Sequence, residues 1–401
     1  MGALRRGVAR AWLANLALLL AGCGLASIAG ELLLRATGWG APSPLIPEGR
    51  LPFKRRPHLE FVNRKEIVNP VELNNWGFHD RDRDQRGASY RILVLGDSFV
   101  EGLQVPVEDL FTMRTENALV DAGYDVEVVN GGVGGVGTAY EYLLYEEFFR
   151  KRAEIDHVVL VLFNGNDLAN NLPRLEQEVN GNEVEGKVYL DATGHVYVLE
   201  GTKSGPRRLA GWLDRHSALF YTVHLAHYHW RRQRTHVVAK RAPADQADAV
   251  DEPSPVDEAW SQSLRGTLAL LDRWRGELCD QGIELSVVVL PGADHLQRGG
   301  YGDPRKARFV RDLIDLGGKS GFAVLEIGFA GLEPAQVFTY DGIQYGHLNA
   351  EGHRVVSAYL SAYLSAYLSD WLTERLADLD AASKCASRRS QISRTAPRPP
   401  G

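Results

Sequence analysis

Five short apolar runs constrain this chain more than any other feature: RILVL (91–95), DVEVVN (125–130), HVVLVLF (157–163), IELSVVVLP (283–291) and FAVLEI (322–327). Each has the length of one strand and is rich in β-branched residues. None shows the strict in–out alternation of a strand with one wet face. Helical patterns separate them at about 109–122, 139–152, 257–280 and 306–316, and a last helix begins near Ala350. Strands buried on both faces and spaced by helices predict an α/β fold: three α/β/α layers around a central, mostly parallel sheet.

From 174 to 256 the rhythm breaks. VYLDATGHVYVLEG (188–201) reads as a hairpin turning at Gly194, a basic and aromatic helix follows at about 217–234, and APADQADAVDEPSP (242–255) has the composition of a disordered loop. Because strand and helix signals then resume, the segment reads as an excursion from one domain. The last helix carries SAYL three times (357–368), which places Leu360, Leu364 and Leu368 on one packed stripe. The expected organisation is an N-terminal stub and anchor at 1–34, a Pro-rich spacer at 35–74 leading into a strand near Glu66–Val68, a domain at 75–372, and a disordered tail at 373–401.

The N-terminus belongs to another class of segment. Residues 11–30 contain no charge and follow Arg5, Arg6 and Arg10. As a helix they span about 30 Å, the thickness of a bilayer core. The basic flank argues for an N-terminus inside and a body outside the cytoplasm. Three readings share that outcome: an uncleaved membrane anchor, a lipoprotein with LAGC (20–23) as its lipobox and Cys23 as its modified residue, or a cleaved signal peptide. The formal charge of −6 gives no reason to expect a nucleic-acid partner. Cys23, Cys279 and Cys385 lie far apart and outside any Cys/His cluster, which argues against a zinc site or a disulfide framework. No metal or organic cofactor is expected, and the composition is silent on oligomeric state.

The chemistry collects where strands end, since open α/β sheets bind ligands at their carboxyl edge. The first strand stops at Gly96-Asp97-Ser98. The second runs into VVNGGVGGVGT (128–138), whose glycines let backbone amides turn inward. The third ends in FNGND (163–167), where Asn166 offers a side-chain amide. YDGIQYGHLNAEGH (340–353) brings Asp341, His347 and His353 just ahead of the last helix, with Asn349 as its N-cap. Each motif alone is an ordinary turn, and His353, already inside the helix, fits a packing role. Together they supply a nucleophile, a base and oxyanion donors, as acyl transfer requires.

Taken in this order, the four motifs resemble the blocks of the SGNH hydrolases, also called GDSL-type esterases, over roughly residues 75–370. GDSFVEG resembles the first block, NGGVGGVGT the second, GND the third and HLNAEGH the last. ELLLR (31–35) and NNWGFHD (74–80) are similar to stretches of membrane-anchored bacterial members. The resemblance implies a flavodoxin-like sheet, Ser98 as nucleophile, His347 as base, and an oxyanion hole of the Ser98 and Gly135 amides with the Asn166 side chain. It implies a small-molecule or polysaccharide ester as substrate. The same residues would serve an esterase, an envelope polysaccharide O-acyltransferase or, with catalysis lost, a binding protein.

The triad acid departs from the family pattern. The acid commonly stands two or three residues before the histidine, and here Tyr345 and Gln344 occupy those positions. DGI-QYG-HLN reads as the family's DGIH with three residues inserted, which nominates Asp341. Asp294, in PGADHLQ (291–297), and a serine–histidine pair without an acid are the alternatives.

Overall fold

The computed structural model describes residues 2–37, 45–63, 66–84, 88–180, 184–200, 205–224, 226–227, 230, 255–329, 331–340 and 345–376. They form two compact units: residues 1–45 with 202–248, and residues 46–201 with 249–401.

The larger unit is built on a five-stranded sheet: β1 (Tyr90–Gly96), β2 (Val126–Gly132), β3 (His157–Phe163), β4 (Glu284–Leu290) and β5 (Ala323–Glu326). The order across the sheet is β2-β1-β3-β4-β5 and every pair is parallel. This is the flavodoxin-like order, with its switch point between β1 and β3. All five expected strands form.

Alternate residues of these strands feed two apolar layers. Leu93, Leu95, Val158, Leu160, Val287 and Val289 pack on one face, and Ile92, Val94, Val159, Val161 and Val288 on the other. The helices α4 (Thr138–Leu144, continuing to Arg152), α6 (Pro255–Cys279) and α7 (Pro304–Ser320) cover the first layer. The second is covered by α3 (Phe111–Asp121) and α8 (Ala350–Leu376), between them flanking a three-layer domain. Leu360, Leu364 and Leu368 are buried as the SAYL repeat predicts, and Asn349 caps α8 by accepting the Gly352 N–H at 3.0 Å.

Four expectations need correction. Residues 46–74 belong to the larger unit and are not a spacer. Glu60–Asn63 and Asn69–Glu72 form an antiparallel hairpin, and Glu66 lies in the connection between them instead of in a strand. Asn63 and Asn69 fasten this hairpin by donating to the Leu103 carbonyl at 2.9 and 3.1 Å. The excursion is divided: Lys187–Leu190 pairs with Val196–Leu199 as the expected hairpin within the larger unit, whereas 202–248 belong to the smaller one. Cys279 is disulfide-bonded, although the cysteine spacing argued against a disulfide framework. The expected loop at 242–254 and the tail from 377 lie outside the described residues.

In the smaller unit, α1 (Gly2–Thr37) contains a 26-residue stretch, Trp12–Thr37, long and apolar enough to cross a membrane and not buried by protein.

Candidate active site

The nucleophile's position follows from the end of β1. The chain leaves the sheet at Gly96 and begins a single helical turn, α2 (Ser98–Glu101), capped by the Asp97 side chain on the Phe99 N–H at 2.9 Å. Only glycine fits at 96, where a Cβ would lie 2.3 Å from the Val100 side chain and 2.9 Å from the Val161 carbonyl. The tight turn leaves Ser98 partly exposed while its neighbours are buried. Neighbouring blocks brace α2: Asn130 Nδ2 donates to the Val100 carbonyl at 2.8 Å, and His79 Nδ1 contacts the Glu101 carbonyl at 3.1 Å.

Ser98 Oγ lies 2.7 Å from His347 Nε2. The other ring nitrogen, Nδ1, lies 2.8 and 2.9 Å from the two carboxylate oxygens of Glu66. Glu66 is itself held: its Oε2 accepts the Thr339 hydroxyl at 2.7 Å and the His347 backbone N–H at 3.1 Å. Gly346 makes room, since a Cβ there would stand 2.5 Å from the Glu66 carboxyl carbon. Burial alone would raise the Glu66 pKa. The hydrogen bond and charge of His347, with the Thr339 hydroxyl and the His347 amide, outweigh it and bring the pKa down to about 2. Glu66 is therefore an ionised partner for an imidazolium. It also adopts φ +73°, a conformation that carries strain in a residue with a Cβ.

The acid at the imidazole is thus Glu66, a residue the sequence reading passed over. Asp341 lies outside the described residues. Asp294 is engaged elsewhere, accepting from Lys306 Nζ at 3.1 Å. His353 is a packing residue as expected: its Nδ1 accepts the Phe111 N–H at 3.1 Å, and burial brings its pKa down to about 3.

The second and third blocks both reach the turn that carries Ser98. A Cβ on Gly134, the residue before Gly135, would lie 3.5 Å from that of Ser98. Gly135 has φ +76°, a left-handed conformation that glycine adopts without penalty. Asn166, at the end of β3, donates its Nδ2 to Asp97 Oδ2 at 3.2 Å, which ties the third block to the first. The ring of Phe99 stacks on Phe163 at 3.9 Å and meets His347 at 4.9 Å, giving the site an aromatic wall.

Beneath the site lie three fully buried acids that the sequence did not flag. Asp97, Glu141 and Asp167 all have raised pKa values. Burial is the main cause, and for Glu141 and Asp167 the Asp97 charge adds to it. Among the described residues no group of His, Cys, Asp and Glu is arranged to hold a metal ion.

No family model matches the chain. A 48-residue stretch is 44% identical to an arylesterase of Vibrio mimicus, covering 12% of this chain and 24% of that protein. The chain thus spans about a quarter of the length of the curated relative it matches. Among solved structures it is similar to the acetylxylan esterase Axe2 of Geobacillus stearothermophilus, with 11% identity and a TM-score of 0.37 over 70% of this chain and 95% of the other. It is similar to a putative lipolytic protein of the G-D-S-L family from Desulfitobacterium hafniense, with 10% identity and a TM-score of 0.35 over 68% and 99%. The esterase EstA of a Pseudoalteromonas species stands at 10% identity and a TM-score of 0.35, over 71% and 100%.

Proposed function

We propose that this chain is an SGNH (GDSL-type) hydrolase: a serine esterase, tethered to a membrane by α1, that forms an acyl-enzyme on Ser98. The observation that carries the reading is the continuous relay from Glu66 through both nitrogens of His347 to Ser98, at 2.8 and 2.7 Å. A serine hydroxyl needs a base within hydrogen-bond reach, and the base needs a third group to fix its tautomer.

In the first half-reaction Ser98 Oγ attacks the ester carbonyl while His347 Nε2 takes its proton. Glu66 balances the imidazolium, and the Ser98 and Gly135 amides with Asn166 Nδ2 receive the oxyanion. Collapse of the tetrahedral intermediate expels the alcohol, which leaves with the proton from Nε2. Water then attacks the acyl-enzyme by the same route and frees the acid. The partial exposure of Ser98 lets water reach the acyl-enzyme. A preassembled relay argues against a binding protein that has lost catalysis. The substrate class we favour is a small acyl ester, such as an O-acetyl group, outside the cytoplasm, where the apolar stretch of α1, preceded by Arg5, Arg6 and Arg10, would deliver the body.

The test is labelling of the full-length, detergent-solubilised protein with a fluorophosphonate, beside hydrolysis of phenyl acetate. Labelling and turnover that both disappear in Ser98→Ala would support the reading. An unlabelled, inactive wild-type protein would overturn it. Release of acetate without transfer to added oligosaccharide separates esterase from transferase.

A further inference from the structure

The smaller unit contains a surface that the esterase does not use. Within it, α5 (Gly205–His216) and the helical residues 218–224 are fastened to the end of α1. The fastening residue is Glu31, the first charge after the uncharged stretch 11–30. Its carboxylate accepts Ser217 Oγ at 2.9 Å, the Ala218 N–H at 3.0 Å and the Leu219 N–H at 2.9 Å. Arg35, one turn on, donates to Glu31 and to the His216 carbonyl, both at 2.6 Å. The small Gly30 admits Leu219, whose methyl carbons would lie 3.8 Å from a Cβ there.

The sequence of α5 is cleanly amphipathic. Leu209, Trp212, Leu213 and His216 fall at i, i+3, i+4 and i+7 on one face, while Asp214 falls on the other. In a helix packed in water the apolar face is the covered one. Here Leu209 is 58% exposed and Trp212 52%, and Val223 beyond the turn is 60% exposed. An apolar face left open and tied to the last turns of an apolar helix fits one environment: the headgroup region of the bilayer that this helix crosses. Tryptophan is favoured at that depth, and an amphipathic helix lies along it with its apolar side down.

We propose that α5 and residues 218–224 form an interfacial membrane element, which lies on the phospholipid bilayer with Leu209, Trp212 and Val223 inserted. Glu31 and Arg35 set its depth by tying it to the point where α1 leaves the hydrocarbon. The inference rests on the reading of α1 as a membrane anchor.

The experiment uses the full-length protein in phosphatidylcholine vesicles, with and without lipid brominated near the top of its acyl chains. Bromine quenches tryptophan on contact, so the quenched part of the emission is compared among wild type, Trp12→Phe and Trp212→Phe. The expected result is a loss of quenched emission in both variants. Glu31→Ala should reduce the Trp212 share and leave the Trp12 share in place. Quenching that falls only in Trp12→Phe would keep the anchor and overturn the interfacial element. Quenching that falls in neither would overturn both.

Discussion

Replacing Glu66 by Gln should damage the enzyme more than replacing it by Ala. The pKa of Glu66 drops from 4.5 to about 2 on folding, mainly through His347. At about 1.36 kcal/mol per pH unit this amounts to roughly 3 kcal/mol of coupling. Only 7% of the side chain is exposed, so solvent screens little of it. Glu66→Ala removes that coupling from the transition state, where the imidazolium forms, and should lower kcat by about 10²- to 10³-fold. Glu66→Gln removes the charge and also fixes the wrong tautomer. Glu66 Oε2 already accepts the Thr339 hydroxyl and the His347 amide. The glutamine oxygen would take that place and turn its NH2 toward Nδ1. Nδ1 must then accept, the proton moves to Nε2, and the base can no longer take one from Ser98. A misdirected tautomer costs about 10⁴-fold in a serine triad.

The assay is phenyl acetate hydrolysis by full-length protein in detergent, with far-UV circular dichroism to confirm folding and Asp341→Asn beside the two variants. Asp341→Asn should stay within a few-fold of wild type. A Glu66→Gln enzyme within about tenfold of wild type would refute the assignment. An Asp341→Asn enzyme as inactive as expected for Glu66→Gln would place the acid in the loop before His347.

Three further outcomes are expected. Asn166→Ala should lower kcat by about 10²- to 10³-fold with KM little changed, as loss of one oxyanion donor does; steady-state kinetics check it. Gly346→Ala should place a methyl group where the Glu66 carboxyl stands and lower kcat, while a melting curve close to wild type would show that the fold survives. Glu141→Gln should alter the pH dependence of stability. A carboxyl whose pKa rises on folding contributes most below its unfolded value of 4.5, and that contribution is lost as pH climbs toward the folded value. The wild-type Tm should therefore fall as pH rises above 4.5, and the Gln variant's should fall less. Parallel curves would contradict a Glu141 pKa raised by burial.

The sheet was legible because its strands are buried on both faces, leaving continuous runs such as HVVLVLF with little else to become. Ser98 and His347 were legible because one stands just past the end of a strand and the other just ahead of α8, so position along the chain stands in for position in space. Glu66 had no such marker. It reaches His347 from 281 residues away, out of a hairpin whose strands are four residues each. A short pattern, EFVN followed by NPVE across a polar gap, was the only local sign of that hairpin. The prolines of 42–52 drew attention from it and made the stretch look like a linker. Glu141 and Asp167 were hidden for a different reason: nothing in a helical pattern tells an exposed acid from one turned under an active site.

The separation of the triad along the chain has a consequence for when the enzyme can act. Glu66 precedes Ser98, and His347 follows it by 249 residues. During synthesis and the export proposed above, the nucleophile and its acid therefore emerge long before the base. A partly threaded chain would hold a serine with an ordinary hydroxyl and could not consume esters on the wrong side of the membrane. Activity would switch on only when the end of the domain arrives and closes the circuit, so that turnover would itself report complete delivery of the chain.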